Sequence, residues 1–251
     1  MSGSNYEVVA GRLPALACIQ GKKREVYKAF LHRNAEGMEE IIDLLRPEQM
    51  VWCDKKDLDR VSQGVRHQGI VLHAGALPVL TMSEWLDKHD EAQCALLILD
   101  SIMDPMNFGA MIRSAAAFGA SGVLFAKDRA APLSPSVVKA SAGGVEHIDL
   151  IQATNLVRDI QQAKKRGFWV SAFEAGGPHS LWEASLGGRT AIIIGNEGEG
   201  IRRLVREQAD FFVSIPMRGE LSSLNASVSA GIALAEWLRQ CENDAKDKHY
   251  M

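Results

Sequence analysis

The chain has 251 residues, of which 47% are hydrophobic and 24% are charged, a composition that excludes a disordered chain and supplies enough apolar side chains for a core. Its formal net charge of −3 excludes a protein that coats nucleic acid through bulk positive charge. No apolar run approaches the ~20 residues that span a bilayer, and the first residues lack the apolar stretch of a signal peptide, so we predict a cytoplasmic protein with no membrane partner. The cysteines are scattered without a CxxC pair, which predicts reduced thiols and no metal site. They are Cys18, Cys53, Cys94 and Cys241.

Residues 1–75 are predicted to form a small α/β domain, and basic residues are concentrated at its start. Helices are expected at residues 12–20 and 37–45, and strands at residues 26–32, 50–53 and 69–72. Up to residue 33 the acidic residues are only Glu7 and Glu25, against the basic residues Arg12, Lys22, Lys23, Arg24, Lys28 and Arg33. On charge alone this region fits a phosphate-binding face and a solvated helix surface equally well.

Residues 76–93 are predicted to form a linker that contains one helix at residues 83–89. From residue 94 to residue 251 the pattern changes, because apolar strand-like runs alternate with helical patterns. Such runs predict a parallel sheet that is covered by helices on both faces. The predicted strands are 95–100, 122–126, 147–151, 168–172, 190–195 and 211–215, and the predicted helices are 108–117, 155–166, 201–208 and 225–240. The residues after 240 are predicted to be a frayed tail.

Three segments follow strands of this predicted sheet, at the edge where parallel sheets bind ligands. The first is LDSIMDPMNFGAMIRSAAAFGA, residues 99–120. Asp104-Pro105 predicts a turn, and Asn107 is a candidate N-cap of the following helix. Arg113 lies on this helix of small residues, where its guanidinium could bind a phosphate or a ribose. An ordinary surface arginine is the alternative.

The second segment is TAIIIGNEGEGI, residues 190–201, a strand followed by a glycine-rich loop. A dinucleotide fingerprint would need glycines at positions 195, 197 and 200, and position 197 is Glu. The glycines still allow backbone amides to approach a ligand, whereas the carboxylate of Glu197 would repel a pyrophosphate and suit a cation. A plain strand-to-helix turn is the alternative.

The third segment is IPMRGELSSLNASVSAGIALAEW, residues 215–237. It places Ser222, Ser223 and Asn225 at the start of a helix, where free backbone N–H groups favour anions. Capping needs only one such residue, so the three together indicate a polar pocket, with capping and a solvated turn as the alternative.

In this order and at this spacing, the three segments resemble the three signature motifs of the SpoU/TrmH family of RNA ribose 2'-O-methyltransferases, within the SPOUT superfamily. The first motif occurs as NFGAMIR, with Phe108 where the family usually has Leu. The second occurs as Gly-Asn-Glu-Gly. The third occurs as Ile-Pro-Met followed by Ser-Leu-Asn, with Ala226 where the family usually has Val. The resemblance covers about residues 95–240.

The resemblance implies a SPOUT domain with a deep trefoil knot, a homodimer, and S-adenosylmethionine as the methyl donor. The slim helix with Ala226, Ala230 and Ala233 suits close packing in a knot and against a second subunit. The implied donor-binding residues are Gly195, Asn196, Gly200, Ile215, Met217 and Leu224. The implied catalytic residues are Arg113, Asn107, Glu197, Ser223 and Asn225.

The roles of these side chains also follow from the resemblance. Glu197 is expected to orient polar groups, and Ser223 and Asn225 are expected to bind substrate or to brace the loops. The family proposal makes Arg113 the base, but a guanidinium is a very weak acid and rarely gives up its proton in proteins. We therefore expect Arg113 to hold the adjacent phosphate and to stabilise developing oxyanion charge.

The N-terminal region resembles the family's small RNA-binding domain, which is similar to ribosomal proteins L30e and L7Ae. The resemblance is carried by AGRLPALACIQGKKREVYKAFLHR and RHQGIVL. It implies that Arg12, Lys22, Lys23 and Arg24 bind RNA, and that the substrate is a guanosine of large-subunit rRNA. A tRNA methyltransferase, a non-catalytic ribosome-assembly protein of the same fold and a nucleotide-dependent oxidoreductase are the alternatives.

Overall fold

The computed structural model describes the backbone of residues 6–247 and the side chains of residues 6–243. Two sheets organise this part of the chain, one of four strands and one of eight. The last four residues of the predicted tail, 248–251, lie outside the described residues. Among the helices of residues 6–247, none combines the length and the apolar character that crossing a membrane requires.

The smaller sheet has the strand order β1-β4-β2-β3, and its pairing is mixed. β4 pairs antiparallel with both of its neighbours, and β2 pairs parallel with β3. Its strands are β1 (Glu7–Ala10), β2 (Val26–His32), β3 (Met50–Cys53) and β4 (Ile70–Ala74), and its helices are α1 (Arg12–Gly21), α2 (Glu39–Leu44) and α3 (Lys55–Val61).

The larger sheet has the strand order β10-β12-β9-β11-β6-β7-β8-β5, and all of its pairs are parallel. Its strands are β5 (Val79–Leu80), β6 (Cys94–Leu99), β7 (Gly122–Ala126), β8 (Asp149–Ala153), β9 (Trp169–Phe173), β10 (His179–Ser180), β11 (Arg189–Ile194) and β12 (Phe211–Ser214). Its helices are α4 (Met82–Lys88), α5 (Pro105–Ala117), α6 (Pro135–Ala140), α7 (Leu156–Lys165), α8 (Arg203–Arg206) and α9 (Ala226–Asp247).

Helices cover both faces of the larger sheet, as the apolar strands predict. All six side chains of β6 are buried, and they alternate between two core clusters. Ala95, Leu97 and Leu99 contribute to the cluster with α5, α6 and α9. Cys94, Leu96 and Ile98 contribute to the cluster with α4, α7 and α8. The prediction of a parallel α/β sheet is therefore confirmed.

Several short elements were not predicted, because they carry little periodic pattern of their own. They are β1, α3, β5, β10 and α6. β5 and α4 lie in the segment expected to be a linker, and β5 pairs with β8 at the edge of the larger sheet. The tail prediction was wrong for residues 241–247, because α9 continues to Asp247 and Cys241 is buried against the core.

Two of the basic residues predicted to bind RNA instead join the two sheet units. Arg24 is buried and donates to Glu146 at 2.6 Å and to Glu7 at 2.8 Å. The Lys23 ammonium donates to the backbone oxygens of Val145 and Ile148. Burial lowers the pKa of Lys23, and burial together with the Glu146 carboxylate raises the pKa of the nearby Cys18 thiol to about 11. We therefore correct the prediction for Arg24 and Lys23, since both charges are already used inside the protein.

α5 and α6 contact each other through a glycine that leaves no room for a side chain. A Cβ on Gly109 would lie 2.4 Å from Ala140 Cβ and 2.7 Å from the Val137 backbone oxygen. A Cβ on Gly231 of α9 would meet only Ser114 Oγ, at 3.5 Å. Gly109 is thus required by packing, whereas Gly231 is not.

We predict that Gly109→Ala lowers the free energy of unfolding by about 1–3 kcal/mol, because α5 and α6 must move apart. The matched variant Gly231→Ala should be neutral or more stable by up to about 1 kcal/mol, because alanine favours helix and its methyl group has room. Denaturant unfolding of both variants measures the difference. Equal stabilities for the two variants would contradict the close contact of α5 and α6.

Candidate active site

A cavity of about 480 Å³ lies where β9, β11 and β12 end. The glycine-rich loop after β11 and the segment between β12 and α9 form much of its wall. All six residues expected to hold the methyl donor line it, and so do Glu197 and Ser223. The donor-site residues are Gly195, Asn196, Gly200, Ile215, Met217 and Leu224. Two segments that are separate in the sequence therefore meet at one cavity.

The glycine loop is closed by backbone hydrogen bonds. Asn196 N donates to Gly200 O at 3.0 Å, and Gly200 N donates to Asn196 O at 2.9 Å. A Cβ on Gly195 would lie 2.4 Å from the backbone carbon of Gly200, and Gly200 has a φ of +69°. Both positions therefore require glycine, one for space and one for its backbone conformation.

Side-chain contacts fix this loop to the end of β6. The Asp100 carboxylate, which is fully buried, accepts from Arg202 N at 2.8 Å and from Arg202 Nε at 2.7 Å. The Asn196 amide donates to the Ser101 backbone oxygen at 2.9 Å and accepts from Gly198 N at 2.8 Å. The loop is therefore held at both ends. Sequence reasoning missed Asp100 and Arg202, although an acidic residue directly after a buried strand was a usable signal.

Three predicted site residues form one hydrogen-bonded cluster, which we call the amide–carboxylate cluster: Asn107, Glu197 and Asn225. Glu197 Oε1 accepts from Asn107 Nδ2 at 2.7 Å and from Asn225 Nδ2 at 2.5 Å. Asn225 Nδ2 also lies 3.1 Å from Asn107 Oδ1. The cluster joins the starts of α5 and α9 to the glycine loop.

The helix caps explain why the two amides are available to the cluster. Asp104, rather than the predicted Asn107, caps α5, because its carboxylate accepts from Met106 N at 3.0 Å and from Asn107 N at 3.3 Å. Asn225 Oδ1 accepts from Ser227 N at 2.9 Å, which leaves its amide nitrogen for Glu197. Asn225 therefore both caps α9 and belongs to the cluster, so the two interpretations of this residue are compatible.

Sequence reasoning also missed a charged pair on the cavity wall. Arg206 donates to both oxygens of Glu174, at 2.8 and 2.7 Å, and its guanidinium lies 4.2 Å from the centre of the Phe212 ring. Glu174 and Arg206 both line the cavity. Glu174 directly follows β9, just as Asp100 directly follows β6. A polar residue at the carboxyl end of a buried strand was therefore the usable signal here too.

Arg113 does not line the cavity. It is exposed on α5, about one and two-thirds turns beyond Asn107. Gly144 packs against its backbone, since a Cβ on Gly144 would lie 3.0 Å from Arg113 Cα. Within the described residues the Arg113 guanidinium has no hydrogen-bond or ion-pair partner, so it is accessible to a ligand from solvent.

The remaining predicted RNA-binding residues, Arg12 and Lys22, are exposed on the smaller unit at opposite ends of α1. Arg12 Nε donates to the Gln68 backbone oxygen at 3.3 Å. Lys22 follows the last residue of α1 and has a φ of +49°. The structure thus leaves two of the four predicted positive charges accessible to solvent.

The family comparison divides the chain in the same way as the two sheets do. The model of the SpoU rRNA Methylase family matches residues 95–235. A second model, described as RNA 2'-O ribose methyltransferase substrate binding, matches residues 8–79.

Individual proteins agree with this result. The chain is 40% identical to the 23S rRNA (guanosine-2'-O-)-methyltransferase RlmB of Vibrio vulnificus over 189 residues, which are 74% of this chain and 76% of that protein. A solved RNA 2'-O ribose methyltransferase matches with a TM-score of 0.78 at 27% identity, over 94% of this chain and 89% of its own. The SpoU methyltransferase AviRb from Streptomyces viridochromogenes, solved in complex with the cofactor AdoMet, has the same fold, with a TM-score of 0.78 at 23% identity over 94% and 90% of the two chains.

We predict that Asp100→Asn lowers the free energy of unfolding by about 2 kcal/mol, because an amide nitrogen then faces the Arg202 donors and the charged hydrogen bonds are lost. Amide hydrogen exchange of the glycine loop should also become faster. The matched variant Glu207→Gln removes the exposed pair with Arg203 and should change stability by no more than about 0.5 kcal/mol. Unchanged exchange in Asp100→Asn would show that this carboxylate does not hold the loop.

Proposed function

The chain belongs to the SpoU methylase family, and on that premise we propose that it transfers a methyl group from S-adenosylmethionine to a ribose 2'-hydroxyl of RNA. The substrate we propose is a guanosine of large-subunit rRNA. The observation that carries this proposal is the amide–carboxylate cluster beside a cavity whose wall combines apolar side chains with closely spaced backbone groups.

The cavity fits the methyl donor in size, polarity and charge. Ile194, Ile215 and Leu224 offer an apolar surface for a purine ring, and the tight turn at Gly195 exposes backbone polar groups. Glu197 and Glu199 add negative charge to the loop, which suits a cationic sulfonium and disfavours a pyrophosphate. When bound, S-adenosylmethionine supplies an electrophilic methyl group.

The amide–carboxylate cluster is suited to position a ribose. Glu197 Oε1 already accepts two amide hydrogens, and within the described residues no hydrogen bond occupies Oε2. This second oxygen can accept a hydrogen bond from a sugar hydroxyl. Because the cluster is anchored on two helix starts and a braced loop, it can hold the hydroxyl in one orientation, and such alignment supplies much of the rate of a bimolecular transfer.

We propose that Arg113 binds the RNA phosphate next to the target ribose and stabilises the charge that develops on its 2'-oxygen. Its exposed and unpartnered guanidinium supports contact with a ligand that arrives from solvent. A guanidinium stays protonated at neutral pH, so the proton of the hydroxyl leaves through phosphate or water. Ser223 lines the cavity and is assigned to substrate binding.

The smaller sheet unit supports rRNA as the substrate class. Residues 8–79 match the model for substrate binding, and the Vibrio vulnificus relative is named for 23S rRNA. We propose that residues 1–75 form an L30e-like RNA-binding domain, that residues 76–93 connect it, and that residues 94–251 form the methyltransferase domain.

We further propose a trefoil knot, a homodimer and a cytoplasmic location. The knot is supported by the path of residues 215–225, which return to the glycine loop before α9 packs against α5. The dimer is supported by exposed apolar side chains at the start of α5 and on α9, at Met103, Met106 and Val228. The cytoplasm is where ribosomal RNA would be encountered during ribosome assembly.

We predict that Arg113→Lys lowers kcat for methyl transfer by about 100-fold or more, because a lysine cannot reproduce the planar fork of donors. Binding of S-adenosylmethionine, measured by calorimetry, should be unchanged, because Arg113 does not line the cavity. Arg203→Lys, at an exposed arginine of α8, is the matched control. Near-normal turnover of Arg113→Lys would exclude the role proposed for this residue.

The proposed function itself is tested with radiolabelled S-adenosylmethionine and with rRNA and tRNA from a strain that lacks this protein. We expect a single 2'-O-methylguanosine in large-subunit rRNA after nuclease digestion and mass spectrometry. Methylated tRNA would keep the activity and overturn the substrate class. No binding of S-adenosylmethionine would favour a non-catalytic RNA-binding protein, and binding of a nicotinamide dinucleotide in its place would favour an oxidoreductase.

A further inference from the structure

A second cavity, of about 460 Å³, lies on the smaller sheet unit, away from the methyl-donor cavity. We call it the junction pocket and define it by five of its lining residues: Arg12, His32, Lys55, His67 and Gln68. Its walls come from the start of α1, the end of β2, the start of α3 and the turn before β4. Nothing in the proposed chemistry at Glu197 uses this pocket.

Gln68 connects the junction pocket to the methyltransferase unit. Its side-chain oxygen accepts from Lys139 Nζ at 2.7 Å and from Arg12 N at 3.3 Å, and its backbone oxygen accepts from Arg12 Nε. Lys139 belongs to α6, which packs against both β1 and α5. Gly11 permits this contact, because a Cβ there would lie 2.0 Å from Lys139 Nζ. Two cations from different units therefore contact Gln68, Lys139 at its side-chain oxygen and the Arg12 guanidinium at its backbone oxygen.

The positive charge at this position is not neutralised. Within the described residues, Arg12, Arg66 and Lys139 form no ion pair, although ion pairs are frequent elsewhere in this part of the chain. Burial lowers the pKa of Lys139, and the positive charge of Arg66 lowers it further. The negative charge of a bound anion would offset both effects on this pKa.

Two acidic residues, Glu36 and Asp59, lie close to these cations. Glu36 lines the pocket and is exposed. Asp59 interacts with His67, whose Nε2 lies 3.0 Å from its carboxylate. His67 Nδ1 accepts from Gly69 N at 3.0 Å, so in this arrangement Nε2 carries the proton that Asp59 accepts.

We propose that a phosphodiester of the RNA backbone binds beside the junction pocket, between Arg12 of its lining and Lys139 next to Gln68, and that this contact places the substrate relative to the methyltransferase cavity. A guanidinium fork and an ammonium are the groups that recognise a phosphate, and the pocket beside them has room for the attached nucleotide. This inference rests on the proposed function, because it takes RNA as the substrate.

The two units contribute to this site together, which gives it a positioning role. Arg12 begins α1 of the smaller unit, and Lys139 lies on the helix that contacts α5 at Gly109 and Ala140. α5 in turn carries Asn107 and Arg113. A phosphate held between Arg12 and Lys139 would therefore contact α6, the helix that packs directly against α5.

The test uses the chain of 251 residues and two variants, at Lys139 and at Gln68, which we call the junction-pocket variants. Lys139→Gln removes one cation. Gln68→Glu keeps every cation but replaces the side-chain amide by a carboxylate of the same shape. This carboxylate would form ion pairs with Lys139 and Arg12 and compete with a bound phosphate. Lys165→Gln, at an exposed lysine of α7 on the other side of the larger sheet, is the matched control. The probes are a 23S rRNA transcript, inorganic phosphate and S-adenosylmethionine.

Each junction-pocket variant is expected to reduce the slope of log affinity for the transcript against log salt by about 0.7 to 1. The KM for the transcript is expected to rise about tenfold, while the affinity for S-adenosylmethionine stays the same. Lys165→Gln should behave as the unmodified chain. This pattern in both variants supports the proposal.

If both variants keep the salt slope and the KM for the transcript of the unmodified chain, the proposal is overturned. The proposed methyltransferase activity would not be affected by that result. Binding of inorganic phosphate at this site with unchanged RNA behaviour would also overturn it, since the ligand would then not be RNA. If the unmodified chain neither binds nor methylates the transcript, the proposed function fails first, and this inference fails with it.

Discussion

The carboxylate of Glu197 is the contact on which the site depends, because one oxygen accepts hydrogen bonds from two helix starts. Asn107 lies 90 residues before Glu197, and Asn225 lies 28 residues after it. Their meeting requires that α5 and α9 both begin at the carboxyl-terminal edge of the larger sheet. Parallel strands guarantee this geometry, since every helix that follows a strand begins at the same edge. The parallel sheet therefore brings Asn107, Glu197 and Asn225 into contact, although they are far apart in the sequence.

The sequence predicted the central elements of this sheet well and its edges poorly. β6 is a continuous apolar run and β11 ends in one at residues 191–194, a pattern typical of strands covered on both faces. β5 and β10 have two residues each, and their pairing is decided by tertiary contacts that leave no pattern in the sequence. For the same reason α9 was predicted too short. The sequence after residue 240 is mostly polar, and only the fold shows that Cys241 is buried in the core.

The candidate site was predicted through the family motifs, and the residues outside those motifs were missed. Periodicity shows that a polar residue stands at the end of a strand, but it cannot show which residue it contacts. The pair of Asp100 and Arg202 is an example, because the two residues are 102 positions apart and form a contact that only the fold creates. The errors at Arg24 and Lys23 have the same origin. Counting charges treats all cations as available, and it does not detect that an arginine is buried against a glutamate of another unit.

That buried arginine also constrains how the two units work together. Arg24 directs Nε and one terminal nitrogen to Glu146 Oε1 and the other terminal nitrogen to Glu7, while Glu146 Oε2 has no partner among the described residues. An ion pair of this kind costs much of its Coulomb energy in desolvation, so it adds little net stability compared with an apolar contact. The ion pair instead fixes the position of one unit against the other, since a displaced unit would leave a buried charge without a partner.

Close packing at a glycine restricts the same boundary, because a Cβ on Gly143 would lie 2.4 Å from Ala17 Cβ. Charge and close packing therefore fix one relative placement of the two units. The RNA that we propose to be held by the smaller unit would then reach the cavity at a set distance.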